Sequence, residues 1–174
     1  MERKERKIMV GVDESEESMF ALSWCITNLI ADTPNVKLVL LYVKPPPPVH
    51  SFNVACMLLF FPRLTNSMSC VTGYSSHAIL AMEQHGKDLA NSVMERAEAI
   101  CKDFKTTNMK KERVVGCGDA KDVICSAVQK LEADTLVLGT HGYGFFKRAL
   151  IGSVSDYCAK HAECTVVVVK QPCP

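Results

Sequence analysis

The sequence predicts an α/β fold: a doubly wound, five-stranded parallel sheet in the order 3-2-1-4-5, with helices on both faces. Short apolar runs alternate with amphipathic stretches in the order β-α-β-α-β-α-β-α-β, the pattern of parallel strands joined by covering helices. Right-handed crossovers then restrict the topology, and among the orders that remain we choose the doubly wound 3-2-1-4-5. At 174 residues, with 48% apolar and 22% charged side chains, the chain reads as one globular domain, 1–174, able to bury a real core.

Lys7 to Asp13, KIMVGVD, is a short apolar run ending in an acid and reads as the first strand. Ser15 opens a helix with Glu16 and Glu17 in the first turn, where acids favour the dipole. Met19, Leu22, Ile26 and Leu29 give it a core face, and Pro34-Asn35 breaks it. Val36 to Val43, VKLVLLYV, is apolar enough to be a second strand buried on both faces. The prolines at 45–48 end its pairing, since they donate no ladder hydrogen bond.

A long helix spans Ser76 to Phe104, with Leu89, Val93, Ala97, Ile100 and Phe104 at helical spacing. Glu112 to Gly116 is the third strand. Asp119 starts a helix with Val123, Ala127, Val128 and Leu131 inward. Asp134 to Leu138 is the fourth strand, and Cys164 to Val169 the last. Its uncharged TVVVV run would lie at a sheet edge, an unprotected one.

The stretch between the fourth strand and the last helix, GTHGYGFFKRALIGSVS from Gly139 to Ser155, carries the chemistry. Gly139, Gly142 and Gly152-Ser153 are spaced G-x2-G-x9-G-S. Glycine lets a backbone approach a ligand closely, and a helix start offers unpaired N–H groups to an anion. Ser153 and Ser155, flanking Val154, add hydroxyls there, and the whole reads as a phosphate cradle. It is neither the G-x4-G-K-[ST] P-loop nor a dinucleotide fingerprint, because no G-x-G-x-x-G follows the first strand. In a sheet of this order the ligand crevice lies between strands one and four, with Asp13 and Gly139 facing each other across it. Val12, Val43 and Leu138, at strand ends, offer walls or backbone groups, although a valine there is commonly core. Lys147 and Arg148 either offset phosphate charge or form a solvated tip, and His141 reads as a surface residue.

The glycine pattern and the strand-one ending GVDES resemble the universal stress protein family, whose nucleotide-binding members carry G-x2-G-x9-G-[ST]; the likeness covers nearly the whole chain, in its plant-type single-domain form. The resemblance implies a Rossmann-like domain and ATP or AMP as ligand. It makes Asp13 a contact to adenine or ribose, where the residues alone would also allow a simple helix start. It further implies an antiparallel homodimer through strand 164–169. Whether Mg²⁺ accompanies the nucleotide is left open. Cys56 to Thr72 does not fit: deleting it joins Phe52–Ala55 to Gly73–Ser75 as the uninterrupted loop of plant-type members. We read 56–72 as an insertion, with a lid or a short edge strand packed over the cleft as the alternative.

Other classes recede. A net charge of +1 from 20 basic and 19 acidic groups gives no footprint for nucleic acid or a membrane surface. The apolar run after MERKERK is too short for a signal peptide, and none is long enough to cross a bilayer. The expectation is a cytoplasmic protein, with the nucleus open. Nine cysteines contain no C-x2-C pair, so no metal site or disulfide framework is expected. No nucleophile stands beside a partnered base. The expected function is therefore an adenine-nucleotide-binding stress-response protein rather than an enzyme. The alternatives are a nucleotide-independent dimeric scaffold or holdase, and a slow ATPase.

Overall fold

The structure is a computed structural model describing residues 5–31, 33–45, 76–104, 109–140 and 152–172. The chain divides into two compact units, one of residues 1–45 with 90–174 and one of residues 46–89. The second is described here only from Ser76 to Leu89, the first half of a long helix. The expected insertion at 56–72 lies outside the described residues.

The first unit holds a parallel sheet ordered β3-β2-β1-β4-β5, the predicted order. Its strands are β1 (Arg6–Gly11), β2 (Val36–Lys44), β3 (Lys110–Cys117), β4 (Thr135–Thr140) and β5 (Thr165–Lys170). The helices are α1 (Glu16–Cys25), α2 (Ser76–Asp103), α3 (Ala120–Leu131) and α4 (Ser153–His161). The central strands are buried on both sides, as their unbroken apolar runs require. Ile8, Val10, Val12, Leu38, Leu40 and Tyr42 point to the face covered by α1 and the second half of α2. Met9, Val39, Leu41, Leu136 and Leu138 point to the face covered by α3 and α4.

Local chemistry sets the boundaries. Ser15 caps α1, its hydroxyl accepting from the Ser18 amide at 3.2 Å, and Asp119 caps α3 by accepting from Lys121 N–H at 2.9 Å. After Cys25 the helix widens into one π-helical turn, Ile26–Ile30, closed by Ala31 N–H to the Ile26 carbonyl at 3.0 Å. Asn35, at φ 60°, then turns the chain into β2. Two strands, β3 at its start and β4 at its end, run two residues past the prediction. β3 starts at Lys110 because the ladder to Lys37 continues under charged side chains. β4 runs through Gly139 to Thr140, paired with Val169 and Lys170.

Candidate functional site

Strand order reverses between β1 and β4, so the crevice expected of such a sheet opens at their carboxyl ends. The β1–β4 ladder ends at Val10 beside Val137. Here the backbones are crowded. A Cβ on Gly11 would lie 2.6 Å from Leu138 Cδ2. A Cβ on Gly139 would lie 2.6 Å from the Glu17 carbonyl oxygen and 2.9 Å from the Ser18 nitrogen. Gly139 thus has a packing reason of its own: the first turn of α1 rests on it.

The arm from β1 into α1 is tightly bonded. The Asp13 carboxylate accepts from the Ser15 amide at 2.9 Å and from the Ser15 hydroxyl. The buried Ser18 hydroxyl accepts from the Asp13 amide at 3.1 Å, and its own hydrogen lies within reach of the Asp13 and Ser15 carbonyls. Asp13, just past the end of β1, therefore organises the start of α1.

Of the three apolar candidates, Val12 faces α1 and α2, while Val43 and Leu138 face α3 and α4. Val12 and Leu138 are buried, and the Val12 amide is spent on the Leu41 carbonyl at 2.9 Å. Their side chains build the core on opposite sides of the sheet, so a shared apolar wall is not what they form.

At the other side of the crevice α4 begins at Gly152, at φ −64° and ψ 152°, with no side-chain cap. The amides of Ser153, Val154 and Ser155 make up its first turn, the positive end of the helix. Val154 packs into the α3–α4 core. Ser155 is buried and donates its hydroxyl hydrogen to the Gly152 carbonyl at 3.0 Å, whereas Ser153 is exposed. Gly142 lies outside the described residues, with His141, Lys147 and Arg148.

Three residues that the sequence did not single out gather beside Asp13. The Tyr42 hydroxyl donates to Glu14 Oε1 at 2.9 Å. Burial foremost, and then the bond to Glu14, push the Tyr42 phenol up to about 12. Arg96 of α2 donates to the Glu14 carbonyl at 3.1 Å and to the Glu16 carboxylate at 2.5 Å. Among the described residues no group of three His, Cys, Asp or Glu side chains could hold a metal ion, and no helix is long and apolar enough to cross a membrane.

Comparison with known proteins adds to this geometry. Residues 5–55 and 70–170 match the Universal stress protein family. The chain is 30% identical over 171 residues to universal stress protein PHOS34 of Arabidopsis thaliana, covering 96% of this chain and 62% of that protein. It is 46% identical over 63 residues to the Arabidopsis universal stress protein A-like protein, covering 33% of this chain and 36% of that one. The chain thus spans less than two thirds of the length of these relatives. Among solved structures, a universal stress protein family protein of Arabidopsis with AMP bound superposes with a TM-score of 0.63 at 25% identity, over 96% of this chain and 92% of that one.

Proposed function

The chain belongs to the universal stress protein family, and on that premise we propose that it binds an adenine nucleotide, ATP or AMP, at the carboxyl ends of β1 and β4. It acts through ligand-dependent conformation or partner binding. The observation that carries this reading is the start of α4 at Gly152, where no side chain among the described residues caps the first-turn amides. The fit is chemical: backbone donors suit phosphate, and the Asp13 carboxylate suits ribose hydroxyls or the adenine amine. Ser155, with its hydrogen spent on Gly152, offers lone pairs only, so the amides and the exposed Ser153 hydroxyl are the donors. The AMP held by the Arabidopsis neighbour supports the same ligand class. We assign the site to binding rather than turnover.

Purified protein should release ATP or AMP on denaturation, detected by mass spectrometry. Gly142→Val should abolish binding measured by calorimetry, because the family pattern G-x2-G places a glycine where a branched side chain would fill the phosphate path. Unchanged affinity in that variant would sink the assignment.

We also propose that residues 56–72 are an insertion into the nucleotide-binding domain, because the family match stops at 55 and resumes at 70. Deleting them should leave affinity within about twofold and raise solubility, since Met57–Phe61 is an uncharged apolar run. A deletion that weakens binding tenfold or more, about 1.4 kcal/mol, makes the segment a lid instead. The homodimer through β5 belongs to the same proposal.

A further inference from the structure

Resting on that nucleotide-binding reading, we propose that Arg96 and Tyr42 are positioning residues, which hold the Asp13–Glu16 arm in its ligand-ready shape without touching the ligand. One guanidinium spans two acceptors: Nη1 takes the Glu14 carbonyl and Nη2 the Glu16 carboxylate. These acceptors flank Ser15, the cap of α1. Tyr42, on β2, takes the other end of Glu14, its carboxylate. Glu14 is thus held through its main chain from α2 and through its side chain from the sheet. Asp13, the residue before it, cannot swing without breaking one of these bonds or its own turn with Ser15.

A bland alternative is that Arg96–Glu16 is one more surface ion pair. The arginine side chain is 40% exposed and the glutamate 76%, and such pairs contribute little to stability. That weakness sharpens the test. Removing the contact should cost little folding free energy, yet a loosened arm must be ordered again when ligand binds. The guanidinium fork matters for the same reason, because a lysine ammonium is a single point and does not span both acceptors.

The experiment titrates AMP and ATP into the full-length protein and its Arg96→Met, Arg96→Lys and Tyr42→Phe variants by calorimetry, with hydrogen exchange followed at residues 14–18. Arg96→Met should weaken binding about fivefold, with Arg96→Lys close to it and Tyr42→Phe about threefold. Melting temperatures should move by no more than about 3 °C. Amides 14–18 should exchange faster in the ligand-free variants and regain wild-type protection at saturating AMP, which a purely structural defect would not show. Wild-type affinity in all three variants overturns this inference and leaves the proposed function standing. A wild-type protein that binds neither nucleotide overturns both.

Discussion

Gly139→Ala is expected to lower the melting temperature by about 6–12 °C, while Gly86→Ala in the same protein raises it by about 1–4 °C. The first substitution places a methyl 2.6 Å from the Glu17 carbonyl oxygen and 2.8 Å from its carbon. These are backbone atoms of the first turn of α1, so no side-chain rotation relieves the overlap. Either α1 lifts from the sheet or β4 withdraws from its ladder to β5, where Gly139 pairs with Val169. Overpacking of this kind costs about 3 kcal/mol, and a domain this size loses about 2–4 °C per kcal/mol. Gly86, in contrast, sits within α2 with nothing within 4 Å of its missing Cβ. There alanine removes unfolded-state freedom and gains about 0.5–1 kcal/mol. Scanning calorimetry of the two variants checks the pair. A Gly139→Ala protein as stable as the wild type would show that α1 does not rest on β4 as described. Nucleotide affinity measured at low temperature then separates the packing duty of Gly139 from any duty toward phosphate.

The contrast shows what a sequence can and cannot disclose. Strands β1, β2 and β4 were legible because burial on both faces leaves unbroken apolar runs, such as VKLVLLYV, and β5 because its TVVVV run is uncharged and β-branched. The caps Ser15 and Asp119 were legible because a helix start demands a short acceptor side chain. The opening of β3 was hidden, because Lys110 and Lys111 are chosen for an edge and pair through their backbones. The π-helical turn leaves no residue-type signal in ITNLI. At the proposed site, motif and position in the fold single out Asp13 and the start of α4. Arg96 and Tyr42 are not singled out, since their partners lie 82, 80 and 28 residues away and only the tertiary fold joins them. The motif marks Gly139 for phosphate, whereas the packing of α1 against it is a duty that a glycine in a sequence does not announce.

A proline in the middle of β5 is expected to convert the proposed dimer into a monomer, and the position of the proline decides whether the domain survives. The two sheet edges differ in chemistry. At β3, ion pairs guard the edge region: Lys110 with Glu5 at 2.7 Å, Lys37 with Glu112 at 2.7 Å, and Arg113 with Glu98. Such charges discourage another strand from pairing there. At β5 the half-buried Val166, Val167 and Val168 follow an exposed Thr165, and the first charge is Lys170. An apolar edge of that kind is stabilised by pairing with a second copy about a two-fold axis. Successive residues of a parallel strand direct their N–H groups to opposite sides, so of Val167→Pro and Val168→Pro one removes a donor to β4 and the other a donor to the open edge. One variant should melt early. The other should keep the wild-type melting profile of its monomer and elute at half the wild-type mass by light scattering. Wild-type protein that scatters as a monomer at tens of micromolar, a range in which a weak transient interface has come apart, would exclude the pairing. So would two proline variants that both fold and remain dimeric.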